Sequence, residues 1–450
     1  FWAPQSEQTD SETIKWDLNL TLNENMVLSF LGGFDQLEWS RVNFASNLAS
    51  FLSPNFDFFP ARQFVFDEKT DTSNAELRLT GEYTDFNWQV GAFYFKEEND
   101  LFNQALVNPG TENVAAIIRF DYDVETISKA VFGQGSYNVS DAGKVTVGVR
   151  YNKDSVDRVG GSDLPLFGVP FSSSGGKKDD SDVTYHLAYD HKLDDDKMIY
   201  GKYSTGYKPG AFDVCGEYDA ETVSTAEIGS KNRLNNNNLQ INISAFHSAY
   251  EDQQVFQLVS SDVCASNSIT TNAGEATIYG VEADFVAMVS DSVKLTGAIN
   301  YLNAEYDEFS APPPAGAGAL ASCRADDLGN CDLSGNSAPQ APEFSASLSV
   351  EKYWELDGGD VVFRLDGRYL SEMFFGPNNY ESQKQSGYGL YNTSLTYEQE
   401  NWSVSLWGQN ITNEEYLTNA GESTAGGSAN YFLSYGAPAT FGVRFTMNMY

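Results

Sequence analysis

Short polar turns and long connections take turns along this 450-residue chain, with a strand-like run between each and the next. The short ones are LNEN near Leu22, EYTD near Glu82, VSDAG near Val139, LDDD near Leu193, RLNNNN near Arg233, VSDS near Val289 and EQEN near Glu398. The long ones run approximately over 42–72, 97–125, 153–180, 209–221, 253–271, 308–341, 376–387 and 412–436. Counting the runs between them predicts about 17 strands of roughly ten residues, the length that crosses a bilayer at a tilt. A soluble sandwich has no reason to keep all its long loops at one end, whereas a barrel with a different compartment at each end does. The expected fold is therefore all-β, an antiparallel transmembrane β-barrel.

The runs themselves have period two. KVTVGVRYN places Val145, Val147, Val149 and Tyr151 on one face and Thr146, Gly148, Arg150 and Asn152 on the other. Toward the end of the chain Phe441, Val443, Phe445 and Met447 oppose Gly442, Arg444, Thr446 and Asn448. Such alternation cancels in the mean hydropathy of −0.38, and no apolar run is long enough for a membrane helix. Other faces carry Lys202, Ser204 and Lys208, or Asn392, Ser394 and Thr396, and read as solvated rather than as the inside of a sandwich. The net charge of −36 argues against a nucleic-acid partner, whose binding needs a basic surface.

YSTGYKPGAF, from Tyr203 to Phe212, reads as the outer end of such a strand. Tyr203 and Tyr207 are expected toward lipid, Ser204 and Lys208 toward the lumen, and Pro209 and Gly210 end the pairing at the rim. This stretch resembles the strand motif of TonB-dependent outer-membrane receptors, carried here by Tyr203, Gly206, Tyr207, Lys208, Pro209 and Gly210. Three further stretches are collinear with it. LWGQNITNEEYL, with Asn410, Glu415 and Tyr416, is similar to the family's penultimate-strand signature, and YGAPATFGVRFTMNMY, with Pro438, to its final strand. AELRLTGEYTDFNWQVGAFYFKEE resembles a hairpin found upstream.

The resemblance implies that 1–450 is the C-terminal part of a receptor barrel of 22 strands, with the N-terminal plug and the first strands lying outside the chain. It implies a Gram-negative outer membrane, long loops outside and short turns in the periplasm. The activity it implies is energised uptake of a scarce nutrient, first a ferric siderophore or other iron chelate. Cobalamin, oligosaccharide or another organic nutrient are alternatives, and a passive plugless porin or a secreted β-sandwich binding module are rival classes. The partners implied are the TonB-ExbB-ExbD complex, acting through the N-terminal region, the barrel assembly machinery, outer-membrane lipids and lipopolysaccharide, and a small ligand. No cofactor is expected.

Site residues are fewer. The four cysteines lack metal-site spacing and nearby histidines, and fit disulfides, with Cys323 and Cys331 inside one loop and Cys215 and Cys264 in consecutive loops. Asp326, Asp327 and Asp332 are candidate calcium carboxylates, although their spacing matches no known calcium loop and a solvated acidic surface accounts for them as well. Phe374, Phe375 and Tyr380 are candidate ligand contacts, or pack the loops against each other. His186, His191 and His247 sit in no arrangement with a serine and an acid, so no enzyme is expected.

Overall fold

The computed structural model describes residues 6–44, 62–107, 115–173, 175–213, 215–259, 268–312, 324–325, 330–423 and 430–448. Long strands lie side by side in chain order: β1 (Ser6–Asn23), β2 (Met26–Phe44), β3 (Arg62–Glu82), β4 (Phe86–Val107), β5 (Ala115–Asn138), β6 (Gly143–Leu164), β7 (Gly176–Lys192), β8 (Lys197–Lys208) and β9 (Glu221–Leu234). The series continues with β10 (Leu239–Leu258), β11 (Ser268–Ser290), β12 (Val293–Glu308), β13 (Phe344–Leu356), β14 (Gly359–Leu370), β15 (Tyr388–Glu398), β16 (Trp402–Gln409) and β17 (Thr440–Met447). Each pairs antiparallel with its successor, giving a 17-strand meander of the expected fold class. A five-residue strand, Val169–Ser173, is added alongside β6. Among the described residues β1 pairs only with β2, and β17 only with β16.

Tight turns join β1 to β2, β3 to β4 and so on at one end, and the long connections gather at the other. One turn was not anticipated. Asp357 and Gly358 close β13 onto β14, with Gly358 at φ 94°, a conformation that favours glycine. An Asp-Gly pair between β-forming runs is itself a hairpin signal.

The strands also correct the expected lengths. β5 has 24 residues and β4 and β6 have 22 each, so much of 97–125 and 153–180 is paired strand rather than loop. The same holds for parts of 42–72 and 253–271. At 3.4 Å per residue β5 is about 80 Å long, far more than the roughly 30 Å of a bilayer's hydrocarbon. Above the membrane both faces of a strand meet polar surroundings, so the alternation that reveals a strand disappears while backbone pairing persists.

That switch is visible on the apolar face. Ile14, Leu18, Leu20 and Leu22 on β1, Val147, Val149 and Tyr151 on β6, and Val183, Tyr185, Leu187 and Tyr189 on β7 are exposed and form a continuous apolar belt. Toward the loop end of the same face the registered positions become Glu12, Gln36, Asp71, Glu98, Glu125, Asp157 and Lys177. Lys96 holds two of these carboxylates, each at 2.9 Å, Glu98 on its own strand and Glu125 across on β5.

The opposite face is polar. Lys202 pairs with Glu227 at 2.8 Å, and Glu351 is held by Arg364 at 2.9 Å and by the hydroxyl of Tyr353 at 2.7 Å. A conventional core forms instead at the loop end, where Val255, Ala273, Ala276, Tyr306, Phe309, Ala311, Cys331 and Leu333 are buried together. Tyr306 and Phe309 meet at a centroid distance of 4.8 Å there. The extended β10–β11 hairpin and the 309–343 connection thus cover one another.

Candidate functional site at the loop end and the inner wall

The connection after β8 is strapped across the polar face rather than left in solvent. Pro209 ends β8, and its carbonyl accepts a hydrogen bond from the Gln254 amide at 2.9 Å, while the Gly210 N–H donates to Asp180 at 2.9 Å. A Cβ on Gly210 would lie 2.3 Å from the Tyr218 carbonyl oxygen and 2.4 Å from Lys178 Cε, so only glycine fits this crossing. Farther along, the Asp213 carboxylate accepts from the backbone N–H groups of Cys215 at 2.9 Å, Gly216 at 3.0 Å and Thr270 at 2.5 Å. The Asp213 carbonyl accepts from Arg158, whose guanidinium lies 3.6 Å from the centre of the Tyr122 ring. The strap is therefore tied to β6 and β7 on one side and β10 and β11 on the other. Arg158 is buried, and that burial pulls its pKa below the usual guanidinium value.

Lys178 and Asp219 add an ion pair at 2.7 Å, which raises the lysine's pKa. Asn272 binds the carbonyls of Asp219 and Asp252 at 2.9 and 2.8 Å. None of Arg158, Gln254 or Asn272 stood out in the sequence. Arg158 carried the one usable sign, a base on the polar parity of β6 beyond the apolar run.

The family-motif residues divide into two groups. Tyr203 faces outward as expected, stacked on Tyr185 at 6.0 Å. Tyr207 corrects the expectation of a lipid-facing girdle residue: its hydroxyl is buried and stands beside the carboxylates of Asp154 and Asp180. Pairing of β7 with β8 stops at His186–Ser204 while β8 continues along β9 to Lys208, and the ring turns into the opening. In the second group Asn410 is buried at φ 45°, Tyr416 stacks on Tyr388 at 4.9 Å, and Glu415 and Pro438 are exposed.

Cys215 and Cys331 are both disulfide-bonded; Cys264, Cys323, Asp326 and Asp327 lie outside the described residues. Asp332 accepts from the N–H of Ser334 at 3.0 Å, and no cluster of metal-ligating side chains occurs among the described residues. Phe375 is buried within the 371–387 connection, Phe374 is covered by Lys384 at 5.4 Å, and Tyr380 is half-buried.

A polar inner wall, an exposed apolar belt and one heavily built end define the wall of a membrane β-barrel. The family model described as TonB dependent receptor-like, beta-barrel matches residues 1–411, and the chain belongs to that family. The pesticin receptor of Yersinia pestis is 22% identical over 298 residues, covering 64% of this chain and 39% of the relative. The ferric yersiniabactin uptake receptor FyuA of Yersinia pestis superposes with a TM-score of 0.78 at 17% identity, over 99% of this chain and 62% of that one. For the siderophore receptor PiuA of Acinetobacter baumannii the values are 0.74, 17%, 98% and 64%. The chain thus spans less than two thirds of each relative. Family and fold are those of outer-membrane transport receptors.

Proposed function

We propose that this chain is the larger, C-terminal part of the barrel of a receptor that takes up a scarce nutrient by an energised route, in first place a ferric siderophore or another iron chelate. The observation that carries the reading is the strap after β8, whose Pro209, Gly210 and Asp213 are tied to β6, β7, β10 and β11 over the polar face at the loop end. That end then faces the medium and the tight turns face the periplasm. Cobalamin or oligosaccharide uptake remains the alternative within the same reading.

β1 and β17 both run from the loop end to the turn end, so they are parallel to each other and do not close an antiparallel barrel directly. An odd number of further strands completes the alternation. In this reading those strands and a plug lie N-terminal to the chain, and the TonB-ExbB-ExbD complex acts through that region.

The test is growth and accumulation of radiolabelled ferric chelates by iron-starved cells with and without the gene, and with and without TonB. Accumulation that requires both supports the reading. A steady conductance of the purified protein in planar bilayers, with no dependence on TonB, favours the passive porin.

A further inference from the structure

The outer face of the wall changes chemistry where the apolar belt ends. On β5 the outward positions run from the exposed Tyr137 and Val131 through Lys129 and Ile127 to Glu125, and on β6 from Val149 and Tyr151 through Lys153 and Ser155 to Asp157. Lys129 and Lys153 are registered directly opposite each other, which sets their Cα atoms about 5 Å apart. Tyr94 on β4 and Ser181 on β7 flank the pair in the same row. The Lys129 ammonium stands 6.0 Å from the centre of the Tyr94 ring. Both lysines are exposed on the face turned away from the barrel interior, and paired strands lie on either side of them.

The other bases on the outward face of β3 to β5 are held by carboxylates. Lys69 is paired with Asp71 at 3.3 Å, Lys96 with Glu98 and Glu125, and Arg119 with Asp163. Lys129 and Lys153 form no ion pair among the described residues, and the positions beside them, in the row and along the strands, carry no carboxylate. The nearest registered acid, Asp179, stands opposite Ser155, one row toward the loop end. In a chain with 27 basic and 63 acidic residues, two ammoniums are thus set against each other without a counter-charge. Like charges in that position repel, and more strongly beside lipid, where the dielectric is low.

We propose that Lys129 and Lys153 together bind a phosphate of an anionic glycolipid in the outer leaflet, with Tyr94 and Tyr151 at the level where its headgroup meets its acyl chains. A phosphate between the two ammoniums accepts a charge-assisted hydrogen bond from each and removes their repulsion. A lysine stem lies along apolar surface while its charged end reaches the headgroups, and tyrosines suit the same level. Farther toward the loop end Glu98, Glu125 and Asp157 disfavour an anion, which confines the phosphate to the lysine pair. The choice of leaflet follows from the loop end facing the medium, so the inference rests on that part of the proposed function.

The test uses the full-length receptor in detergent, stripped of lipid, with lipid A as probe and its enzymatically dephosphorylated form as the neutral counterpart. Binding is read by native mass spectrometry. K129Q and K153Q are each expected to weaken lipid A binding about five-fold and the double variant about thirty-fold, while the dephosphorylated form binds all of them alike. The K129R/K153R variant keeps the affinity, and K352Q, at the turn end of β13, leaves it unchanged. S155E adds a carboxylate beside Lys153 with both lysines retained and also weakens binding, which covers the case in which the double variant fails to fold. No lipid A binding by the parent, equal binding by the parent and the double variant, an equal loss in K352Q, or displacement of lipid A by an equal concentration of inorganic phosphate each overturns the proposal. Protease cleavage of loop-end segments on intact cells tests the orientation separately, and cleavage only in opened cells overturns the choice of leaflet whatever the lysine variants do.

Discussion

The side-chain amide of Asn410 donates to the carbonyl oxygen of Ala437 at 3.0 Å, bonding the end of β16 to the segment that enters β17. The same amide donates to the Glu414 carbonyl at 2.8 Å, and the Asn410 side-chain oxygen accepts from the Glu414 N–H at 2.8 Å. Asn410→Ala therefore leaves three backbone groups without these partners at a buried site. The expected loss is about 2–3 kcal/mol of local stability. Hydrogen exchange should quicken at the Glu414 amide and proteolysis should increase across 411–439, while the apolar belt is unaffected. Unchanged exchange at Glu414 would show that the side chain does not hold the turn.

Gly210→Ala puts a methyl group against the Tyr218 carbonyl oxygen, which is backbone and has little room to move. The strap is expected to lift, breaking the Gly210 bond to Asp180 and the Gln254 bond to Pro209. Limited proteolysis between 209 and 220 is the measurement, with faster cutting than in the parent protein and the same barrel mobility on gels.

Arg158→Met keeps the bulk over Tyr122 and removes the charge and the bond to the Asp213 carbonyl. An expected destabilisation of about 2–3 kcal/mol should be confined to the loop end, because the guanidinium is buried and its partners stay behind. Exchange at Cys215, Gly216 and Thr270, whose N–H groups depend on the Asp213 carboxylate, reads it directly.

Burial first, and then the Asp100 and Asp121 carboxylates, hold Asp123 above its ordinary pKa at the loop end of β5. A carboxyl raised in the folded state stabilises fully below its unfolded pKa and loses that contribution as pH rises through the folded value. Asp163 behaves in the opposite sense, because the Arg119 hydrogen bond lowers its pKa, and its contribution is lost only below the usual carboxylate range. Between neutrality and about pH 4 the Asp123 effect is the one that changes. The amides of 97–103 and 119–125 should therefore exchange more slowly as the pH is lowered from 7 toward the ordinary carboxylate range, after correction for intrinsic rates. Asp100→Asn should reproduce the gain at neutral pH.

Ile228 is exposed on the apolar belt, and its neighbour Glu227 faces the polar wall. Ile228→Arg is expected to cost about 2–4 kcal/mol on folding into vesicles, whereas Ser394→Arg on the inner face should change stability little. Equal costs at the two sites would contradict the assignment of faces.

Much of this architecture was legible in the sequence. Period-two alternation identifies a strand only where its two faces meet different solvents, and between lipid and lumen they do, so the count of strands, the alternating loop lengths and the outward faces of β6 and β17 could be read directly. Where β4 to β6 rise above the bilayer both faces meet water, the pattern vanishes, and the strands were shortened. Gly210 and Asn410 were visible as motif positions, but what they hold was not.

The covalent chain by itself therefore determined the meander, its two unlike ends and its two unlike faces, because those follow from local turn chemistry and from side-chain alternation along one strand. Tertiary structure alone decided that Asp213 reaches Arg158, that Tyr207 turns inward, and that Lys129 and Lys153 stand opposite each other beside Tyr94. These contacts join residues on different strands, and their meeting depends on the register of every hairpin in between, which no stretch of sequence states on its own.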